Sequence, residues 1–390
     1  MPERVSNSAM TYALHKNALC HHLHPQHYHL YGTSLLGTSS GSFVFPIPQP
    51  VLQPVQPAPQ PAPQPVQPAP QPVPQPAPQP IPQPPPASQP VPQPHSPLPP
   101  QACINWVSRK KVPTKMYGGN ATVVGDHLYY GGGSSSQPER EQIVNKYDPT
   151  NDTWVCLPSI RRKKFTLVNY QQKLVAVGGV SQSGSFSRDV SVWDDKTQQW
   201  KMQTKMKATR TLCMTVTYKE FLIVAGGKNV DTLRNIEIYN GQQWQNSPKR
   251  LPVPMHSASS AILNGQWYLA GGETNQGPDK AVHYIPLNAI VSTRVQAMWG
   301  TMMPLSYKKS TLVTFRNTLL AIGGISVVNN AIVYKYSTDE IKWVEIKKAL
   351  PTSCHCVAAV QMNDDELFVV GGCGRFMIFN HTFQGTVAIQ

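Results

Sequence analysis

Basic side chains recur in short clusters through the second part of the chain, where they could bind anionic groups. Lys and Arg number 34 against 20 acidic residues, for a net charge of +14. Residues 1–101 contribute only +1, from Glu3, Arg4 and Lys16, which leaves +13 on residues 102–390. The clusters are Arg109, Lys110, Lys111 and Lys115; Arg161, Arg162, Lys163 and Lys164; Lys201, Lys205, Lys207 and Arg210; Lys249 and Arg250; Lys308 and Lys309; Lys347 and Lys348. Such a surface favours acidic peptides, phosphates, nucleic acid or anionic membranes without choosing among them.

A second group with possible chemistry is Cys354-His355-Cys356, whose thiols and imidazole are zinc ligands. Along an extended strand successive side chains alternate between faces, so both sulfurs would face one way and the imidazole the other. No second ligand pair at zinc-site spacing accompanies them. The sequence therefore predicts a buried inner strand at this position, with no bound metal or cofactor.

The N-terminal part of the chain offers two smaller binding hypotheses. A histidine tract, which could bind a transition metal but more often has no specific ligand, comprises His21, His22, His24, His27 and His29. Residues 46–100 hold 26 of the 39 prolines and no charged residue, a composition that cannot bury enough apolar surface to fold. Its Pro-x-x-Pro matches suit Src-homology-3 grooves but lack flanking basic residues, which favours a spacer over a ligand. We predict a disordered His-containing region over 1–45, a Pro/Gln-rich linker over 46–101 and a folded domain over 102–390.

Six paired glycines, each ending an apolar run, mark the elements that must position these residues. The doublets are Gly132-Gly133, Gly178-Gly179, Gly226-Gly227, Gly271-Gly272, Gly323-Gly324 and Gly371-Gly372. Their first glycines are 46, 48, 45, 52 and 48 residues apart, a period typical of propeller blades. The preceding runs are apolar at consecutive positions, as expected of strands buried on both faces between neighbouring blades. We predict an all-β, six-bladed β-propeller.

Tryptophans follow the same period and predict how the ring closes. The phased residues, each 24 to 28 positions before the next first glycine, are Trp106, Trp154, Trp200, Trp244, Trp299 and Trp343. No tryptophan follows Gly371, so Trp106 should complete the last blade. We predict that residues 103–107 form the outer strand of that blade, next to residues 376–379. The alternative is that residues 386–390 form the outer strand.

The glycine doublet, the turn Tyr147-Asp148-Pro149 and the following Trp154 resemble the kelch repeat, and the resemblance covers residues 102–390. Members of that family that recruit other proteins grip acidic or phosphorylated peptides with arginines on one loop face around the central channel. The resemblance implies partner contacts at Arg162, Arg210, Arg250 and His256, with Lys309, Arg140, Arg188, Arg234 and Arg375 as further members of the surface. The alternative is a solvated surface that serves solubility.

The resemblance implies a non-catalytic protein-interaction module, an adaptor or scaffold, that binds an acidic or phosphorylated protein segment. The alternative is a kelch-fold enzyme such as a copper-dependent, galactose-oxidase-like oxidase. The sequence shows no spacing that maps onto that copper site among the residues considered, His127, His256, His283, His355 and Tyr284. Nucleic acid is a weaker candidate because stacking aromatics do not interleave the basic loops. Nothing in residues 1–101 resembles the BTB and BACK regions that link many kelch-like proteins to a cullin ligase.

The cysteines and the apolar runs of the sequence also indicate the cellular compartment. The seven cysteines show no repeated spacing, which favours reduced thiols over a disulfide framework. The first 36 residues have no apolar core of signal-peptide length, and no run elsewhere is long enough to span a bilayer. We therefore expect a cytoplasmic protein with no membrane partner.

Overall fold

Antiparallel strands between residues 102 and 389 form six four-stranded sheets, which are the blades of a propeller. The computed structural model describes residues 97–99, 101–302, 310–324, 331–346 and 350–389. The first strands of the six repeats contact one another in turn, and the sixth contacts the first, so they line the centre of a closed ring. The predicted all-β, six-bladed propeller is confirmed.

Each blade runs outward from an innermost strand. Strand β1 is Ala102–Ser108, and blade 1 consists of β2 (Asn120–Val124), β3 (His127–Gly131), β4 (Asn145–Asp148) and β5 (Thr153–Cys156). Blade 2 consists of β7 (Thr166–Tyr170), β8 (Lys173–Val177), β10 (Val190–Asp194) and β11 (Gln199–Met202). Blade 3 consists of β12 (Met214–Tyr218), β13 (Phe221–Ala225), β14 (Asn235–Tyr239) and β15 (Trp244–Arg250).

The second half of the ring repeats this order. Blade 4 consists of β16 (Ser259–Leu263), β17 (Gln266–Ala270), β20 (Val282–Pro286) and β21 (Gly300–Met302). Blade 5 consists of β22 (Thr311–Phe315), β23 (Thr318–Ile322), β24 (Val333–Ser337) and β25 (Lys342–Glu345). Blade 6 consists of β26 (Ala358–Gln361), β27 (Glu366–Val370), β28 (Thr382–Ile389) and β1.

Short elements decorate the connections. Two-residue strands pair in the loops, β6 (Arg162–Lys163) with β9 (Val180–Ser181) and β18 (Glu273–Thr274) with β19 (Gly277–Pro278). A 3-10 helix spans Pro138–Gln142. Helix α1, Leu287–Val291, fills the insertion that separates β20 from β21 in blade 4, and its apolar residues are buried against blades 3 and 4.

The N-terminal strand closes the ring, as predicted. Strand β1 pairs with β28 from Ala102 opposite Ile389 to Ser108 opposite Phe383. Its neighbour is therefore residues 382–389, so the predicted neighbour, residues 376–379, was wrong, and so was the alternative that residues 386–390 are outermost. Residues 376–379 do not extend the sheet because they fold back on the loop after the last doublet: Gly374 N–H donates to the Met377 carbonyl at 2.9 Å, and Phe379 N–H donates to the Gly372 carbonyl at 2.8 Å.

The segment just before β1 packs against blade 5. The Leu98 side chain is buried, and its N–H donates to Thr318 Oγ1 at 3.0 Å. Lys335 Nζ donates to the Pro99 carbonyl at 3.0 Å. The end of the predicted linker thus contacts the propeller, whereas residues 1–96, with the histidine tract and most of the proline tract, lie outside the described residues.

The glycine doublets join neighbouring blades. The strands before them, β3, β8, β13, β17, β23 and β27, are almost wholly buried. At Gly226 φ is +57°, and a Cβ there would lie 2.4 Å from the Met255 carbonyl oxygen of the next blade. The next residue, Gly227, donates its N–H to that same carbonyl at 2.9 Å. The doublet therefore lets two backbones approach closely enough to hydrogen-bond.

The phased tryptophans form a second set of contacts between blades, near the outer edge of the ring. Each of four indoles donates its Nε1–H to a carbonyl in the preceding loop: Trp154 to Lys110 at 2.9 Å, Trp200 to Pro158 at 3.0 Å, Trp244 to Thr204 at 2.8 Å and Trp299 to Arg250 at 2.7 Å. In the last blade Trp106 lies opposite Gly385, where a Cβ would meet the indole at 2.8 Å. In these four blades the indole hydrogen bond joins one blade to the next, whereas Trp106 contributes by packing and its buried Nε1–H has no hydrogen-bond partner among the described residues.

Candidate functional site

The described basic loops of both sets open on one face of the propeller. In each antiparallel blade the innermost strand starts at the same edge where the second strand ends, so the loop entering the blade and the loop after the glycine doublet are neighbours. The short pairing of Arg162 with Ser181 and Lys163 with Val180 joins these two loops directly in blade 2. We call this side the loop face, and the opening of the channel on it the mouth.

A ring of residues in the left-handed conformation surrounds the mouth. Five described entering loops each place a residue with positive φ beside the mouth: Gly118 at 62°, Lys164 at 54°, Leu212 at 53°, Ser257 at 56° and Cys356 at 53°. The blade 2 loop has a second such residue, Arg161 at 58°. Their backbones bond across blades, from Leu212 N–H to the Lys164 carbonyl at 3.3 Å and from Ser257 N–H to the Leu212 carbonyl at 2.9 Å. Gly118 N–H donates likewise to the Cys356 carbonyl at 2.9 Å. This mouth ring holds the neighbouring side chains at fixed places.

Arg162, predicted to contact a partner, is instead an internal clamp of blade 2. The residue is 5% exposed, and its guanidinium donates to the carbonyls of Gly178 at 2.8 Å and Asp189 at 2.7 Å and to Ser191 Oγ at 2.7 Å. Burial lowers the pKa of Arg162 to about 10, although the nearby Asp189 raises it in part. The partner contact predicted for Arg162 is wrong, because its donors already serve the blade.

Arg210 plays the equivalent part in blade 3, so the partner contact predicted there is wrong as well. It has no solvent exposure and donates to the Gly226 carbonyl at 2.7 Å and to Glu237 Oε1 at 2.5 Å. Glu237, equally buried, also accepts the N–H groups of Lys207 at 2.6 Å and Ala208 at 2.9 Å. The pair thus shapes the loop that enters blade 3.

The other predicted contacts are accessible where the structure describes them. Arg140, Arg188, Arg234, Arg250 and Arg375 are all exposed. Two of them are partly engaged, since Arg234 Nε donates to the Leu251 carbonyl at 2.5 Å and the Arg375 guanidinium lies 5.1 Å from the Phe376 ring centre. Lys309, together with Lys308, Lys347 and Lys348, lies outside the described residues.

Some of the basic charge is neutralised locally. Lys163 Nζ lies 3.6 Å from Glu141 Oε2, and Lys205 Nζ lies 3.1 Å from Asp189 Oδ1. Lys201 forms an ion pair with Asp194. These pairs leave the entering loops less uniformly basic than the sequence clusters indicate.

Basic groups nevertheless converge at the mouth from three successive blades. Lys164 enters blade 2, Lys228 follows the glycine doublet of blade 3, and His256 enters blade 4. Burial, then Lys228, then Lys164 lower the pKa of His256 to about 4. His256 Nδ1 lies 3.0 Å from Ser257 Oγ, and its backbone bridges to Glu273, an acidic residue at the mouth. Lys228 was missed by the sequence analysis; its position directly after a doublet was the available signal.

The residues considered for a copper site are not brought together. His127 begins β3 in blade 1, whereas His283 and Tyr284 lie in β20 of blade 4, and His355 lies at the entrance to blade 6. His283 Nε2 lies 2.7 Å from Asp279 Oδ2, and Tyr284 stacks on Tyr268 with ring centres 5.8 Å apart. These contacts are local to blade 4. Among the described residues, no helix is both long and apolar enough to cross a bilayer.

Comparison with known proteins agrees with this architecture. Kelch-like protein 36 of Bos taurus is 24% identical over 276 residues, which is 66% of this chain and 44% of the relative. Kelch-like protein terF of Aspergillus terreus is 25% identical over 239 residues, covering 56% of this chain and 52% of the relative. The chain thus spans about half the length of the curated relatives it matches.

A solved structure and a family model complete the comparison. The structure of YjhT superposes with a TM-score of 0.59 at 15% identity, covering 72% of this chain and 99% of that one, which supports the fold alone. The model of the KLHDC2/KLHL20/DRC7 kelch-repeats domain matches residues 164–372, more than half of the chain. The chain belongs to this kelch-repeat family.

Proposed function

We propose that this propeller is a non-catalytic protein-interaction module, an adaptor or scaffold, whose mouth binds an acidic or phosphorylated protein segment. The observation that carries the proposal is that Lys164, Lys228 and His256 come from three successive blades to one hydrogen-bonded stretch of backbone. Thr211 pairs with Lys228, Leu212 N–H donates to the Lys164 carbonyl at 3.3 Å, and Ser257, next to His256, donates to the Leu212 carbonyl at 2.9 Å. Kelch-like relatives support a protein-interaction role over catalysis.

Electrostatics favours an anion at this place. Lys164 and Lys228 both disfavour a proton on His256, so positive potential is concentrated around the imidazole. A carboxylate or phosphate bound between them would relieve this repulsion and accept charge-assisted hydrogen bonds, which are roughly twice as strong as neutral ones. Exposed Arg188, Arg234 and Arg250 could add contacts farther from the channel, where screening by salt is greater.

The buried residues Arg162 and Arg210 position the loops that carry the mouth residues. Arg162 lies two residues before Lys164, and Arg210 lies two residues before Leu212 in the mouth ring. Each fixes the loop from inside by holding the carbonyl of its blade's first doublet glycine. Loss of a clamp would therefore misplace mouth residues by unfolding or shifting the loop, without the clamp itself touching the partner.

The test is binding of a fluorescent peptide of glutamate and glycine residues, and of its phosphoserine-containing counterpart, to the full chain. Changing Lys164→Gln and Lys228→Gln together removes two mouth charges. We expect affinity for both peptides to fall at least about tenfold, since two charged hydrogen bonds contribute a few kcal/mol together. Fluorescence anisotropy at fixed salt measures the loss.

Lys173→Gln with Lys219→Gln is the matched control. It removes the same charge from the same two blades, but Lys173 begins β8 and Lys219 follows β12, so both lie on the opposite face. This control should bind within about twofold of the unmodified chain, as expected for distant screened charges. Equal weakening by both pairs would mean that net charge, not the mouth, governs binding. Tighter binding of a single-stranded oligonucleotide than of either peptide would favour nucleic acid and contradict the proposal.

A further inference from the structure

We propose that His355, Cys356 and Cys373 form a site for a single Zn²⁺ ion at the blade 6 side of the mouth. His355 Nε2 lies 3.2 Å from Cys373 Sγ, and the ligand atoms of all three residues lie within 4.8 Å of one another. Cys373 is 17 residues beyond Cys356, on the far side of a hairpin, so the fold and not the local sequence assembles the group. The site is independent of the proposed partner binding.

The backbone fixes two of the ligands face to face. His355 and Cys373 form an isolated antiparallel bridge, and each donates its N–H to the other's carbonyl at 2.9 Å. Side chains of directly opposed residues in such a bridge project on the same side. The imidazole and the Cys373 thiol therefore meet without any strain on the loop.

The third ligand is placed by a break in the strand alternation. Cys356 occupies the mouth ring with φ of +53°, held there by the hydrogen bond from Gly118 N–H to its carbonyl. This left-handed residue turns its thiol toward His355, whereas a regular strand would direct it away. The expectation that Cys354 and Cys356 share one face opposite His355 was wrong for this reason. Cys354 instead packs in the apolar core beside Val357, and burial raises the pKa of its thiol to about 12.

The ligand set suits zinc chemically. Two thiolates and an imidazole are the ligands zinc prefers, and tetrahedral bond lengths of about 2.3 Å to sulfur and 2.0–2.1 Å to nitrogen place ligand atoms about 3.5–3.8 Å apart. The observed separations bracket that range, so small side-chain rotations suffice. Binding would release the two thiol protons to solvent. Cys356 is only partly buried, which leaves the fourth coordination position to water.

Blade 4 repeats this scaffold without the sulfur ligands. His256 bridges Glu273 in the register at which His355 bridges Cys373, and Ser257 occupies the left-handed position of Cys356. The two blades thus differ in side-chain chemistry at equivalent places. His256 provides an internal comparison for the contribution of the thiols.

The test is titration of the reduced, metal-stripped full chain with Zn²⁺ in competition with a chromophoric chelator. We expect one tight Zn²⁺ per chain, and Cys356→Ser or Cys373→Ser should weaken it by more than about 100-fold, because even outer-shell changes cost 10–100-fold. Cys354→Ser and His256→Ala should leave the affinity unchanged. Titration with Co²⁺ should give thiolate-to-cobalt charge-transfer absorption that Cys356→Ser and Cys373→Ser weaken and Cys20→Ser leaves intact, which distinguishes this site from Cys20 and the histidines of residues 21–29.

Circular dichroism melting of each variant separates loss of a ligand from loss of the fold. Cys356→Ser is the informative variant here, since its side chain is partly exposed and should not destabilise the blade. The proposal is overturned if folded Cys356→Ser and Cys373→Ser bind Zn²⁺ as tightly as the unmodified chain. It is equally overturned if the reduced chain gives no thiolate charge-transfer band with Co²⁺, or if mass spectrometry finds Cys356 and Cys373 joined as a disulfide in protein purified under mild reductant.

Discussion

The guanidinium of Arg210 and the carboxylate of Glu237 form an ion pair in which neither side chain has any solvent exposure. Glu237 Oε2 and Oε1 also accept the N–H groups of Lys207 and Ala208, which start the turn into the mouth. The pair therefore connects strand β14 of blade 3, which contains Glu237, to the loop that enters the blade on the loop face. An exposed arginine in the same loop could not do so, because water would compete for its donors.

Replacing Arg210 should lower the free energy of unfolding, because Arg210 is a structural residue and does not contact the partner. Arg210→Met leaves the Glu237 carboxylate buried without its cation, and breaking such a pair costs about 3–5 kcal/mol. The control, Arg250→Met, changes an exposed residue and should stay within about 0.5 kcal/mol. Urea denaturation of both variants measures the difference. Equal stability of the two would show that the clamp contributes nothing.

The doublet glycine Gly226 should be far less replaceable than another glycine of similar conformation. Both Gly226 and Gly184 have positive φ, 57° and 85°, but a Cβ at Gly226 would lie 2.4 Å from the Met255 carbonyl, whereas none of the neighbouring atoms lies within 4 Å at Gly184. Gly184→Ala should cost about 1–2 kcal/mol for the left-handed backbone alone. Gly226→Ala should cost about 2 kcal/mol more, because the next blade's backbone must move. If thermal melts give the two variants the same melting temperature, the close backbone contact at Gly226 does not hold the two blades together.

Strand β1 should act as part of blade 6 and not as a detachable arm. Ile104 is 1% exposed in the core between blades 5 and 6, and Val107 of the same strand is 49% exposed. Ile104→Ala should destabilise the propeller by about 2–5 kcal/mol, while Val107→Ala should have little effect. Hydrogen exchange should also show faster exchange along β28 in the Ile104 variant. Unchanged protection of β28 would contradict closure by β1.

The blade count and the ring closure could be predicted because each rests on a repeated local rule. The doublet glycines recur because the backbones of neighbouring blades meet there, and four of the tryptophans recur because their indoles hydrogen-bond to a loop carbonyl. Both residue types therefore keep the period. The neighbour of β1 was mispredicted because Phe376 and Met377 are apolar yet 72% and 63% exposed at a loop tip. Apolar composition alone could not distinguish them from a strand.

The site was harder to predict because charge does not reveal exposure. Arg162 and Arg210 each precede the first glycine of their blade's doublet by 16 residues, a constant offset that indicates a structural part. Lys228 and Cys373 directly follow doublets, which places both at the mouth. The left-handed backbone of Cys356 has no signal in its own sequence, although the equivalent position in blade 1 is Gly118. Aligning the repeats by position, and not by residue type, would have found these relationships.

His256 should remain uncharged well below neutral pH. Its folded pKa of about 4 lies below the ordinary value of 6.5, so as pH falls from 6.5 toward 4 the unfolded chain takes up a proton that the folded chain does not. This residue should therefore lower stability across that window and have no further effect below it. Lys228→Gln should raise the pKa of His256 by removing a neighbouring charge, as NMR titration of the imidazole protons can show. The same pKa in both proteins would mean that Lys228 does not act on the mouth.

The central claim, that an acidic segment binds at the mouth, is tested most directly by titrating His256 by NMR with and without a saturating phosphoserine-containing acidic peptide. A bound anion beside the imidazole favours its protonated form, so the pKa of His256 should rise from about 4 toward 6.5 when the peptide binds. If the peptide binds while the pKa of His256 stays unchanged, the peptide does not bind at the mouth.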